Sequence, residues 1–328
     1  FFLTLLAMVV GGNKFLKDWG FETVIFSLLI GLFISNIFSI PKWLKEALSS
    51  ELFVKIGLVL LGTTVLFDDL LKAGALGLIQ SCVVVFTVWN FCFWLCRKMK
   101  IDKEMSLMLS SAVSICGVSA AVATAGAIKG DKTKLSYVVS LVLVVAVPMI
   151  LIMPGLAKLM GLPEDMAGAW IGGTIDTTGA VAATGAIYGE VALQTSTIVK
   201  FSQNVLLGVA AFLISIYWSY SKKEVTEEKP TLKVIWLRFP KFVLGFVAAS
   251  LVFSFCVAPE VVSDAKPILK NIQGMWFALA FMSIGLETDF KSLITSENRR
   301  STYAFLGAQA FNVVFTLLVA WILFGLIA

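Results

Sequence analysis

Asp176 is a carboxylate set deep in an apolar stretch, Gly172-Gly-Thr-Ile-Asp-Thr-Thr-Gly-Ala-Val-Ala-Ala-Thr-Gly-Ala-Ile187. Hydrocarbon cannot solvate such a group, so its presence there points to function. It could bind Na⁺ or carry a proton, and it could also N-cap the helix that follows. Its neighbours suit small-ion recognition: Gly173 permits close backbone approach, and Thr174, Thr177 and Thr178 offer hydroxyls.

A second stretch carries the same kind of residues, Ser114-Ile-Cys-Gly-Val-Ser-Ala-Ala-Val-Ala-Thr-Ala-Gly-Ala-Ile128, headed by Ser114, Cys116, Gly117 and Ser119. Ala121-Val-Ala-Thr-Ala-Gly-Ala-Ile128 matches Ala180-Val-Ala-Ala-Thr-Gly-Ala-Ile187. A helix broken at either place would expose an N-terminus near the bilayer midplane, where unpaired N–H groups and the helix dipole favour an anion. Close packing of small residues between helices is the competing explanation for each stretch alone. Lys200, with Ser202, Gln203 and Asn204, forms the next polar cluster. It offers a cation for an anionic solute or a partner for Asp176, unless the lysine snorkels to the surface. Asn204 falls one helical turn beyond Lys200, on the same face.

The elements holding these residues follow from composition. The 328 residues are 59% hydrophobic and only 14% charged, against about 25% charged in soluble domains. Apolar blocks fall near 1–11, 21–40, 52–67, 74–96, 105–128, 135–157, 166–189, 195–219, 236–258, 269–286 and 302–327. Most are about 20 residues long and none alternates with period two, so they read as membrane helices. The expected fold is an all-α polytopic membrane protein of about 9–11 membrane segments. Phe1–Gly11 lacks the basic opening of a secretory leader, so no cleavable leader is expected.

A further similarity, Leu61-Gly-Thr-Thr-Val-Leu-Phe67 with Ile284-Gly-Leu-Glu-Thr-Asp-Phe290, points to a duplicated chain. Basic residues gather at 42–45, 97–103, 129–134, 222–241 and 291–300, which the positive-inside rule puts in the cytoplasm. The first special stretch is flanked by basic joints, and the second by joints poor in Lys and Arg. Inverted repeats follow, with each special stretch entering and leaving on one side in the simplest topology; a full crossing is the alternative, since about 24 residues can span about 30 Å. Two discontinuous or re-entrant helical segments then form the core within 105–222, residues 1–104 and 234–328 supply outer scaffold, and 221–233 is a solvated linker.

The chain has no histidine, which removes the usual general base and commonest metal ligand. It has no Gly-x-Ser-x-Gly elbow and no phosphate-binding loop, so neither an intramembrane enzyme nor an ATPase is expected. The five cysteines lack metal spacing and read as small core residues. Asn90, Gln309 and Asn312 read as hydrogen-bond formers between helices. Glu287 and Asp289 read as solvated interfacial carboxylates.

Ser114-Ile-Cys-Gly-Val-Ser-Ala120, Gly173-Thr-Ile-Asp176, Gly179-Ala-Val-Ala-Ala183, Val199-Lys-Phe-Ser202 and Ala280-Phe-Met-Ser-Ile-Gly-Leu-Glu-Thr-Asp-Phe290 resemble the YeiH family (UPF0324), which carries the label sulfate exporter. The similarity runs in order through essentially the whole chain, and the first stretch is its most specific part. The resemblance implies a multi-pass protein of the cytoplasmic membrane, with inverted repeats and discontinuous core helices. It implies a homodimer that moves one domain against a scaffold. Two positions depart from the family pattern: Asp176 stands where a histidine is expected, and Gln203 where an arginine is expected. Both remove positive charge near the site, which disfavours a divalent anion and favours cation coupling through Asp176.

The reading is a secondary transporter of a small anion, sulfate or an organic sulfonate. No cofactor and no nucleic-acid partner are expected, and Na⁺ or H⁺ is the candidate coupling ion. A Na⁺- or H⁺-coupled carrier of another solute, with Asp176 holding the ion, is the alternative. A passive channel is the less favoured one.

Overall fold

The computed structural model describes residues 2–11, 23–38, 40–41, 48–221, 236–237, 239–287 and 299–327. Residues 222–233, the basic runs at 42–45 and 291–298, and residues 288–290 at the end of the second internal similarity, Asp289 among them, lie outside these. The described residues form an all-α protein.

Among the described residues, four helices are long and apolar enough to cross a bilayer. They lie within α4 (Phe67–Lys98), α7 (Lys132–Leu159), α10 (Glu190–Ser221) and the last helix, α13 (Arg299–Ala320), which continues through a π-helical turn, Trp321–Ile327. The shorter α1 (Phe2–Gly11), α2 (Thr23–Ile37), α3 (Ser50–Gly62) and α11 (Lys241–Leu251), with α12 (Pro259–Glu287), make a second bundle. Glycine sets its closest contacts. At the crossing of α2 and α12, a Cβ on Gly31 would lie 3.0 Å from Gly285 Cα, and one on Gly285 would lie 2.5 Å from the Leu28 carbonyl oxygen.

The segment boundaries differ from expectation where charge interrupts the apolar signal. The helix expected at 74–96 starts at Phe67, and the one expected at 269–286 starts at Pro259. The added turns carry Asp68 and Lys72 in one case, and Glu260, Asp264 and Lys266 in the other. Hydropathy marks the part of a helix that lipid solvates; backbone hydrogen bonding carries the helix beyond it. Cys92, Cys96 and Cys116 are buried as expected, whereas Cys82 and Cys256 lie on the outer surface, where a weakly polar thiol is tolerated beside apolar neighbours.

Between the long helices lie two broken segments. The first is α5 (Lys103–Ser111), a π turn (Ala112–Cys116), and α6 (Val118–Ile128). The second is α8 (Glu164–Thr174) and α9 (Thr178–Tyr188). Each is a re-entrant hairpin with both ends on one face. In the first, Lys134 just beyond α6 pairs with Asp102 and Glu104 at the start of α5, at 2.8 Å each. Leu107 of α5 packs with Ile128 at the end of α6. In the second, the Tyr188 hydroxyl donates to the Leu162 carbonyl, and Glu164 Oε2 accepts from the Val191 N–H at 2.9 Å.

The mouths of the hairpins open on opposite faces. Helix α7 runs from one to the other, and its 28 residues span about 42 Å at 1.5 Å per residue. Helix α10 returns: it begins at the second mouth, and its far end brings Tyr217 under Lys103 at the first. Helices α4 and α13 pack against this core rather than with the short-helix bundle.

Candidate functional site

The breaks in both hairpins are written in local chemistry. Gly117 has φ +59° and ψ −109°, a conformation that strongly favours glycine. The π turn before it widens the helix and lets the chain reverse. In the second hairpin the break spans Ile175 to Thr177, with Ile175 and Thr177 extended, and the Thr177 hydroxyl caps the new helix by accepting from the Ala180 N–H at 3.3 Å. The expectation that Asp176 is the N-cap fails by one residue. Thr177 is closer to the helix start and its side chain reaches the right N–H.

The hairpin tips meet. A Cβ on Gly117 would lie 3.2 Å from Asp176 Cβ and 3.4 Å from the Asp176 carbonyl oxygen. Each hairpin therefore presents two half-helix ends at the centre of the bundle: the C-terminal end of its first arm and the N-terminal end of its second.

The carbonyl ends are satisfied by donors from the long helices. Lys200, 1% exposed, donates to the Ile115 carbonyl at 2.7 Å and to Gln203 Oε1 at 2.8 Å. Gln203 Nε2 donates to the Gly173 carbonyl at 3.0 Å. Gln309 and Asn312 of α13 donate to the Thr174 carbonyl at 3.0 and 3.1 Å, and Asn312 also reaches the Val113 carbonyl at 3.2 Å. Each carbonyl left bare at this depth would cost about 1–3 kcal/mol. The positive charge of Lys200 also suits the negative end of a helix dipole.

The N–H ends differ. Gly117, the N-cap of α6, has no side-chain oxygen to offer. The starts of α6 and α9 instead border a cavity of about 830 Å³. Cys116, Ser119, Thr177, Thr178 and Asn204 line it at the tips, with apolar walls from Val122, Leu143, Val147, Ile150 and Leu207. Its far end reaches Ser50, Glu51, Lys55, Lys241 and Glu287. This end lies toward the face of the first hairpin's mouth, because α3 runs away from it to join α4, which returns to Arg97 and Lys98. Glu287 accepts from the Ser50 hydroxyl at 2.7 Å at this opening.

Five of the residues singled out from sequence thus come together on the cavity wall. The others form the layer behind it. Ser114 turns its hydroxyl back to the Ser110 carbonyl at 2.7 Å. Gly173 and Thr174 supply capped carbonyls, and Gly117 supplies the bend. Asp176 is 1% exposed, and neither carboxylate oxygen has a hydrogen-bond partner among the described residues. Lys200 does not snorkel; it is buried, and no ion pair within 4.0 Å joins it to Asp176 among those residues. Asn204 Nδ2 donates to Thr178 Oγ1 at 3.2 Å, tying α10 to the tip of the second hairpin. Gln309 and Asn312 join helices as expected, whereas Asn90 bonds within its own helix to the Phe86 carbonyl. Gln80, which donates to the Ala169 carbonyl at 2.7 Å, drew no notice in the sequence. A buried amide in an apolar block was the signal for it.

Comparison with known proteins places the chain among membrane proteins. The family described as conserved hypothetical protein 698 matches residues 1–304. A UPF0324 membrane protein of Rhodopirellula baltica is 39% identical over 337 aligned positions, covering 100% of this chain and 62% of its own length. One from Nitratidesulfovibrio vulgaris is 38% identical, covering 100% of this chain and 58% of its own. One from Nitrosomonas europaea is 30% identical, covering 88% and 67%. The chain therefore spans about 60% of the length of the first two relatives. No solved structure matches it. On sequence and architecture together, the chain is a multi-pass helical membrane protein and belongs to the UPF0324 membrane protein family.

Proposed function

We propose that this chain is a secondary active transporter of a small organic anion, working by alternating access in the cytoplasmic membrane. One observation carries the reading: two re-entrant hairpins from opposite faces meet tip to tip, with their carbonyl ends capped by protein and the starts of α6 and α9 bordering a cavity. An anionic head would accept from the N–H groups at the start of α6 and from the hydroxyls of Ser119 and Thr178.

The walls favour an organic sulfonate or similar monoanion over sulfate. Val122, Leu143, Val147, Ile150 and Leu207 suit an apolar tail, and Lys200 is turned to Ile115 and Gln203 rather than lining the cavity. At the tips a dianion would meet partial charges only, since Lys55 and Lys241 lie at the far end of the cavity, and burying it there would be costly.

The packing supports a mobile core of α4 to α10 with α13, working against a scaffold of α1, α2, α3, α11 and α12. This division moves α4 and α13 from the outer elements, where sequence placed them, to the core. Lys100, Lys103, Lys129, Lys132 and Lys134 crowd the first mouth, while Glu164, Asp165 and Glu190 lie at the second. The positive-inside rule then puts the first mouth in the cytoplasm, and the cavity opens inward. A homodimer through the scaffold would anchor the moving part.

Reconstitution into proteoliposomes tests the proposal. Uptake of sulfonates, carboxylates, sulfite and sulfate is measured with and without Na⁺ and pH gradients. Saturable uptake of an organic anion, lowered by Ser119→Ala, is the expected result. Uptake that never saturates would identify a pore instead.

A further inference from the structure

We propose that Asp176, with Thr174 and Gln309, binds a monovalent cation, Na⁺, at the crossing of the two hairpins. Both oxygens of the Asp176 carboxylate, Thr174 Oγ1 and Gln309 Oε1 are buried, and none has a hydrogen-bond partner among the described residues. They belong to one neighbourhood. Thr174 is two positions before Asp176, and Gln309 Nε2 is 3.0 Å from the Thr174 carbonyl, which fixes the other end of that amide beside the tip.

An ionised carboxylate this deep needs a counter-charge. Lys200 brings a charge to the same layer but makes no ion pair with Asp176 within 4.0 Å, donating instead to Ile115 and to Gln203 at 2.7 and 2.8 Å. A proton would satisfy one oxygen and leave the rest. A hard cation draws several oxygens at once. Counted with buried Lys200, a divalent ion would leave this layer positive by two and a monovalent ion by one, so a monovalent ion fits best. Asp176 lies behind the wall that Thr177 and Thr178 present to the cavity, so the cation and a solute would bind on opposite sides of one tip.

Charge then links the two ligands. Asp176 and Lys200 together are neutral. Na⁺ makes this layer positive by one, and a monoanion at the starts of α6 and α9 restores neutrality. Each ligand therefore strengthens the binding of the other by the same factor. This coupling rests on the transport reading; the cation site does not.

The test is thermal unfolding of the purified full chain in detergent, with NaCl replaced by choline chloride at constant ionic strength. The melting temperature should rise with Na⁺ and saturate, because a ligand that binds only the folded state stabilises it. Asp176→Asn should melt normally in choline and lose the Na⁺ response. Thr174→Val should keep the response with half-saturation raised about tenfold. Equal melting in Na⁺ and choline, or an Asp176→Asn variant that still responds to Na⁺, would overturn the site. A saturable Na⁺ response in a protein that moves no anion in liposomes would uphold the site and remove the transport reading.

Discussion

Gly117 and Asp176 hold the same position in the two copies of the repeated stretch, and the fold brings them into contact, with 3.2 Å between a Cβ built on the glycine and that of the aspartate. The local two-fold relationship between the hairpins thus passes between one residue without a side chain and one with a carboxylate. The asymmetry is steric as well as chemical. A second side chain at the crossing would meet Val142 Cγ1 at 2.7 Å, so only one copy has room for a functional group.

Replacing Gly117 by alanine should therefore injure both fold and function. The new methyl meets Val142 and Asp176 in a backbone conformation that disfavours any Cβ. Overpacking alone costs about 1–3 kcal/mol. Thermal unfolding should show a lower midpoint, and anion uptake should fall more than tenfold at matched protein levels. Wild-type values for both would mean that the tips do not touch.

Lys200→Met keeps most of the side chain's length and removes its donors. The Ile115 carbonyl and Gln203 Oε1 then lose a charged partner. The expected destabilisation is about 1–3 kcal/mol. Denaturant unfolding in detergent would measure it. A stability gain would show that the lysine's burial outweighs its hydrogen bonds.

Gly172 of α8 faces the Ser196 carbonyl of α10 so closely that no Cβ fits, and a Cβ on Gly168, one turn earlier, would lie 2.7 Å from the Ala192 carbonyl oxygen. Gly172→Val should push the second hairpin off α10. The cost is about 1–3 kcal/mol, and proteolysis near residues 188–190 should accelerate. Resistance equal to wild type would contradict the packing.

Asp131 caps α7 by accepting from the N–H groups of Lys134 and Thr133 at 2.9 and 2.8 Å. Those bonds, chiefly that from Lys134, hold its carboxyl below the ordinary value of 3.8. A depressed folded-state pKa stabilises the protein above the unfolded value, and that stabilisation disappears as pH falls through the folded one. The stability difference between wild type and Asp131→Ala should be constant above about pH 5 and shrink steadily below 3.8. A difference that grows in acid would contradict the sign.

Sequence made the breaks legible because glycine, serine and threonine stood where lipid-facing helices carry leucine and valine. The matching Ala121–Ile128 and Ala180–Ile187 then gave the hairpins their kinship, and the basic flanks gave them opposite directions. What it could not give was which polar atoms face which way. Lys200 and Asp176 looked like partners, yet Lys200 serves a carbonyl on the other hairpin. Gln309, Asn312 and Thr316 fall on one face of α13, but that face has meaning only once the ends of α5 and α8 arrive beside it. The cavity walls were the least visible part, since Leu143, Val147 and Leu207 resemble any residue of an apolar helix.

The site requires two hairpins that dip from opposite faces. Single cysteines at Lys100, Lys132, Met160 and Val191, in a chain freed of its native cysteines, can be probed with a membrane-impermeant thiol reagent added to one side of sealed vesicles. Lys100→Cys and Lys132→Cys should label together from one face, and Met160→Cys and Val191→Cys together from the other. Labelling of positions 100 and 132 from opposite faces would mean that the first broken segment crosses the membrane, and would contradict the site.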